Sequence, residues 1–319
     1  MNLLKMRATR PQLGVGMDMP WGTNQGFMCS PNGDSVTPNV RAYFQRYGQR
    51  FHHVFLAFQP KNRRPLRAED YYTAYSDFFE AAGHISQRAL HHTMLNLAGE
   101  IEYSRERLLD FTNSLIYRFG FEWVNEDVGI WSSRGKAMPY PLPPILNERS
   151  LNATISATLS TKSRLSVPLV LEFPGFTEGS AIIIGEMHAF DYFKQLSEAT
   201  DCPVTLDTGH IISYQYLTGK RGKELYSELD RLPLNNCFEI HLAGSELTAN
   251  TFRDMHHGIL LDEQLQLLKI LIDSCPYLHA VTYEDPRPGS DGFIADAALS
   301  GFEQLRAIVE AQPTLAGGR

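Results

Sequence analysis

The chain has 319 residues, 43% hydrophobic and 20% charged, enough to bury a full core as one large domain or two medium ones. Its 29 lysines and arginines against 36 aspartates and glutamates leave a formal net charge of -7, which argues against affinity drawn from nucleic-acid phosphates. No apolar run is long enough for a membrane span, the opening MNLLKMRATRPQLGVG lacks the features of a secretory signal, and Cys29, Cys202, Cys237 and Cys275 form no CxxC pair; a cytoplasmic protein with buried thiols is expected.

Short apolar runs alternate with longer stretches of helical period, the pattern of βα units around a parallel sheet. The first strand is expected at 13–17, followed by a polar and aromatic segment at 21–32 that could cap a small-substrate site. A strand at 53–58 leads into a basic patch, Lys61, Arg63, Arg64 and Arg67, read as a solvated loop in preference to an anionic-ligand site. Next come a helix at 68–87, a strand at 90–95, a helix at 104–118 and a strand at 123–128. The run PYPLPP at 139–144 cannot be helical, because proline lacks the amide proton and restricts its predecessor, and it is read as a long rigid loop. The second half continues with a helix at 152–162, a strand at 169–172, a helix at 189–200, and strands at 204–207 and 238–242. In the helix expected at 262–275, Leu265, Leu268 and Ile272 recur at spacings of three and four, and a last strand follows at 280–283. Eight strands predict an α/β fold, a TIM-like (β/α)8 barrel occupying residues 1–319 as a single domain, with an irregular N-terminal segment and a frayed tail from Pro313.

Acids and histidines fall at the ends of these strands: Glu172 closing LVLE, Asp207 and His210 in VTLDTGH, His241 in FEIHLAG, Asp254 and His256 in RDMHH, and Glu284 closing AVTYE. Barrel strands converge at their C-terminal ends on one mouth, so segments distant in sequence point polar groups at one place. Burying carboxylates and imidazoles behind apolar strands is costly without a compensating charge, and divalent metal ions supply one. Histidine and carboxylate without thiolate suit iron, manganese or zinc better than copper(I) or calcium. His91, after RAL, and His53, in FHHVFLAF, are the candidate ligands from the first half. Any one of these residues is more often a salt-bridged acid or a core histidine; seven at successive strand ends are not explained that way. Glu172, Asp207, His241 and Glu284 are assigned catalytic roles, with Glu172 and Glu284 as carboxylates able to bridge two ions. His92, His188, His257 and His279 are not taken as ligands.

LGVG at 13–16, the block 171–210, IHLAGS at 240–245, DMHHG at 254–258 and TYED at 282–285 together resemble the multinuclear non-heme iron-dependent oxidative enzymes, which include methanobactin-type peptide-modifying enzymes. The resemblance implies a TIM-like barrel holding two or three iron ions that activate dioxygen. It further implies oxidation of an amino-acid residue, often cysteine, in a ribosomal peptide, with a small recognition protein presenting the precursor peptide in many members. Three positions depart from the family pattern: Phe173 follows Glu172 where asparagine is usual, Asp127 stands where a histidine is usual, and His210 replaces the asparagine of Asp-x-x-Asn. Such exchanges swap oxygen and nitrogen donors and imply altered metal binding or potential, and a substrate bound differently, including a small free amino-acid derivative. The rival is the endonuclease-IV-like and xylose-isomerase-like group of barrels, where metals polarise a substrate oxygen or generate hydroxide in hydrolysis or isomerisation. A third class, a barrel that only binds a small ligand, accounts for the fold but not for the convergent ligands.

Overall fold

Alternation of side chains along each strand decides the architecture. A computed structural model of the chain describes residues 11–17, 38–58, 68–99, 105–134, 136–177, 181–248 and 251–311. Eight parallel strands close into a barrel: β1 (Gln12–Met17), β2 (His53–Phe58), β3 (Gln87–His92), β4 (Trp123–Asp127), β7 (Leu169–Glu172), β8 (Val204–Asp207), β9 (Cys237–Ala243) and β12 (Ala280–Glu284), each paired with the next and β12 with β1. This is the TIM-type barrel that the eight apolar runs predict. The segment 21–32 with Cys29, the basic patch at 61–67 and the tail from 313 lie outside the described residues. Among the described residues no helix is long and apolar enough to cross a membrane.

In β2, Val54, Leu56 and Phe58 join the core shared with the helices, whereas Phe55 belongs to an inner cluster with Ala89, Trp123, Val170 and Phe238. The same period of two turns His91, Asp127, Glu172, Asp207, His241 and Glu284 inward, one per strand and each at or near its C-terminal end. A register shift opposite the start of β8, where Val204 pairs with Cys237 but Thr205 with Glu239, lets both Phe238 and Glu239 reach Trp123 inside the barrel. On β1, a Cβ at Gly14 would lie 2.0 Å from His53 Nε2, so that glycine is what admits the imidazole.

Helices α1 (Pro38–Tyr47), α2 (Ala68–Ala81), α3 (Arg105–Phe119), α4 (Glu148–Lys162), α5 (Ala189–Thr200), α6 (Thr208–Leu217), α7 (Asp262–Ser274) and α8 (Asp296–Glu310) surround the sheet. Leu265 and Leu268 of α7 are buried, as their spacing predicts. Helix α2 stops at Ala81, short of the expected 87, because β3 starts at Gln87. That strand sits three residues earlier than its apolar run predicts, registered by His53 opposite Gln87 and Phe58 opposite His92. His91 therefore lies near the mouth end of β3 instead of at its start.

The PYPLPP stretch is also corrected. Lys136–Leu142 forms β6 and pairs antiparallel with β5 (Ile130–Ser133). The ladder holds Ser133 to Lys136, Ser132 to Ala137 and Ile130 to Leu142, with an irregularity between, and neither Pro139 nor Pro141, which have no amide proton to give, is among its paired residues. A second hairpin, β10 (Ser245–Leu247) with β11 (Phe252–Asp254), follows β9 and carries Asp254 to the mouth.

Candidate metal centre

Six of the eight barrel strands, β3, β4, β7, β8, β9 and β12, each deliver one titratable side chain to the mouth, and closure of the barrel brings these side chains together. Potential ligand atoms of His91, Glu172, His241 and Glu284 all lie within 4.8 Å of one another, and those of Asp127, Glu172 and His210 do the same. Glu172 belongs to both groups. Its Oε2 is 3.0 Å from His91 Nε2, and its Oε1 is 3.2 Å from His241 Nδ1 and 3.8 Å from His210 Nδ1. Glu284 Oε1 approaches His241 Nδ1 to 2.8 Å.

Asp207 caps α6: its Oδ1 accepts the His210 amide at 2.8 Å, which fixes that histidine on the first turn. His210 Nδ1 then lies 2.8 Å from the Phe173 carbonyl oxygen, leaving Nε2 3.5 Å from Asp254 Oδ2. On the hairpin side, His256 Nε2 is 3.1 Å from Asp254 Oδ2 and its Nδ1 is 2.8 Å from Asp285 Oδ2. His256 and Asp285 are held in the left-handed region, at φ 46° and 43°, a strained backbone of the kind that clusters at functional sites. A Cβ at Gly244 would come within 2.4 Å of Gly258 N and the His257 ring, so the glycine of HLAG lets the turn carrying His256 close over β9.

Acids outnumber imidazoles in the cluster, and their electrostatics follow from that excess. Burial, reinforced by the Glu172 charge, pushes Asp127 up to about 7, and burial does the same to Asp207. His91 is pushed up to about 9: burial acts against the proton, but the hydrogen bond and charge of Glu172 outweigh it. His210, His241 and His256 are likewise held well above the usual histidine value, the adjacent carboxylates overcoming burial. Imidazoles raised by neighbouring carboxylates mark a site short of positive charge.

A metal fits the same place. Asp127 Oδ1, Asp207 Oδ2 and Asp254 Oδ1 are buried without a hydrogen-bond partner among the described residues, which is costly for a carboxylate unless a cation is bound. The donors are imidazole nitrogen and carboxylate oxygen with no thiolate, a set suited to iron, manganese or zinc. The site opens into a cavity of about 260 Å³ whose outer wall includes Thr93, Trp131, Pro141, Met255 and Arg287.

Of the residues singled out from sequence, His91, Glu172, Asp207, His210, His241, Asp254, His256 and Glu284 converge here. His53 does not: it opens β2 at the opposite end of the barrel, with Nε2 2.7 Å from Thr282 Oγ1 and 3.7 Å from Glu239 Oε1. Asp127 joins the ligand group although it was singled out only as a departure from the family pattern. Asn125, which donates to Glu172 Oε2, and Asp285 were not singled out as site residues. Their signal was WVNED and TYED, polar residues continuing an apolar strand into its buried end. The four histidines set aside stay apart: His92 lies against Thr112 and Glu126, His188 caps α5, His257 accepts the Ile259 amide and His279 stacks on Phe238.

A family model described as the RiPP precursor modification enzyme MbnB/TglH/ChrH matches residues 66–285. No curated protein matches the chain. Among solved structures it is similar to a xylose isomerase domain protein from Alicyclobacillus acidocaldarius, at 17% identity over 94% of this chain and 100% of that one, with a TM-score of 0.53. It is also similar to mannonate dehydratase from Streptococcus suis, at 15% identity over 94% and 95% of the two chains and a TM-score of 0.51. The catalytic domain of β-amylase from Paenibacillus polymyxa gives 10% identity, coverage of 96% and 100%, and a TM-score of 0.53. At these identities the likeness is one of barrel fold alone.

Proposed function

The chain belongs to the MbnB/TglH/ChrH family of enzymes that modify RiPP precursors, and from that premise we propose that it is a multinuclear non-heme iron oxidase consuming dioxygen. Its substrate is a cysteine or other residue of a ribosomal precursor peptide, or a small free amino-acid derivative, in natural-product biosynthesis in the cytoplasm. The observation that carries the reading is a pair of buried His–carboxylate groups joined through one residue, Glu172, inside the region that matches the family. Two or three iron ions there would supply dioxygen activation and the two- or four-electron oxidation of a carbon bonded to sulfur or nitrogen.

The chain's own residues then have separable roles. Glu172 presents its two oxygens to different histidines and is the natural bridging carboxylate, while Glu284 serves the His241 side. Asp207, His210, Asp254 and His256 hold the side of the mouth facing the hairpin. Asp127, a candidate ligand with Glu172 and His210 that also lines the cavity, borders the position where a substrate sulfur or nitrogen is oriented, and Asn125, fixed between Glu172 and Thr205, holds the Glu172 carboxylate in place. The outer wall of Trp131, Pro141 and Met255 excludes water from the reacting carbon. A small recognition protein presenting the precursor peptide is part of this proposal.

Oxygen uptake after anaerobic reconstitution with iron(II) tests it, given a candidate precursor peptide or amino-acid derivative. Dioxygen-dependent loss of two or four hydrogens from the substrate is expected. Turnover that continues without dioxygen, or cleavage of abasic DNA by the metal-loaded protein, contradicts it and moves the chain to hydrolytic metal chemistry.

A further inference from the structure

Below the ligand cluster lies a carboxylate that belongs to neither candidate ligand group. Glu239 is fully buried on β9, two residues before His241, on the floor of the barrel. Its Oε2 accepts the Trp123 indole N–H at 3.0 Å, and its Oε1 accepts the Thr282 hydroxyl and lies 3.2 Å from His241 Nε2. Thr282 Oγ1 is in turn 2.7 Å from His53 Nε2, and the His53 ring is seated over Gly14. His241 thus stands between carboxylates on both sides of its ring: Nδ1 faces Glu172 and Glu284, while Nε2 has no aligned hydrogen-bond partner among the described residues and Glu239 Oε1, at ion-pair distance, is the acceptor in reach of it.

We propose that Glu239 is the positioning residue of His241: by accepting a hydrogen bond from Nε2–H once the ring is drawn to a metal ion, it fixes the tautomer whose bare Nδ1 would join Glu172 and Glu284 in holding that ion. A ligating imidazole needs one nitrogen bare and the other held, and a carboxylate on the far nitrogen both orients the ring and raises its basicity. The donors on Glu239 hold it in place for that task, because the indole and the hydroxyl each occupy a separate oxygen while Oε1 retains capacity for the imidazole. His53 belongs to this support through Thr282, which gives that buried histidine a part in the site without ligation. The inference rests on the reading that His241 holds a metal ion, but on neither iron nor dioxygen.

An amide in place of Glu239 has one acceptor oxygen and an NH2 group, so it cannot satisfy indole, hydroxyl and imidazole together. Cobalt(II) titration of the full chain, followed by its visible ligand-field bands, reads the consequence. E239Q is expected to weaken binding of one cobalt ion about 10- to 100-fold and to shift its bands. W123F, which removes the donor from Oε2 but leaves Oε1 with the Thr282 hydroxyl and the imidazole, is expected to weaken binding less than about threefold and to leave the bands in place. If E239Q does not fold, the W123F/E239Q double variant, whose amide meets no indole proton, carries the test and is expected to bind at least tenfold more weakly than W123F. Equal affinity and bands in E239Q and wild type, an equal change in W123F, or a double variant indistinguishable from W123F overturns the proposal. Wild-type protein that binds no cobalt(II) overturns it together with the metal reading, whereas a failed oxygen-uptake assay with normal cobalt binding leaves it standing.

Discussion

Glu172 is the residue on which both ligand groups depend, with one oxygen toward His91 and the other toward His241 and His210. Glu172→Gln is therefore expected to lower the number of bound ions by at least one, read by metal analysis of the purified variant. His188→Asn is expected to leave it unchanged, since that imidazole accepts the Phe190 amide at the head of α5. An unchanged metal count in the Glu172 variant contradicts the bridging role. At this scale the sequence was legible where a strand of apolar residues closed on an acid, as in LVLE and VTLD. The case of His53 shows the limit: residue type alone does not say which end of a strand it occupies, and a histidine that opens a strand faces the floor of the barrel. Asp127 was legible as a departure but not as a candidate ligand, because WVNED places three polar residues in a row and only the pleat decides which faces inward.

Among elements, α6 is the one whose position makes the site, and it had no sequence signal of the amphipathic kind. Eight of its ten residues are buried, so it shows no polar face from which a helical period could be read. Its head is Asp207, which serves both as N-cap and as candidate ligand, and two substitutions separate these roles. Asp207→Asn keeps an oxygen for the His210 amide and is expected to lose metal with little change in the stability of the metal-free protein. Asp207→Ala is expected to lose the metal and also about 1 kcal/mol of stability, measured by urea unfolding in chelator. Equal stability of the two metal-free variants contradicts the capping role. The β1–β2 contact gives a second prediction at this scale. Gly14→Ala puts a methyl 2.0 Å from the His53 ring, inside the closed sheet, and is expected to cost about 1–3 kcal/mol by overpacking, seen as a lowered thermal midpoint. β3 was displaced by three residues in the reading of its apolar run, because the pairing of His53 with Gln87 and not hydrophobicity sets its start.

For the molecule as a whole, barrel and metal centre are expected to be coupled, since each closing strand contributes to the cluster or to the floor beneath it. We propose that residues 1–319 form one domain on this basis. Ions bound only by the folded chain stabilise it by mass action, about 2.7 kcal/mol at a free concentration one hundred times the dissociation constant. Chelation is accordingly expected to lower the thermal midpoint by several degrees while leaving a single cooperative transition, and two separate transitions contradict the one-domain proposal. The closed barrel was legible because eight apolar runs alternate with helical stretches; the two mouth hairpins were not, because β5–β6 carries prolines and β10–β11 is only three residues long on each side. The claim that unites these scales is that the acids and histidines at the mouth hold a cluster of iron ions. Quantitative metal analysis of the wild-type chain expressed in iron-supplemented medium tests it most directly: the expected result is two or three iron atoms per chain, and stoichiometric zinc with no iron contradicts it.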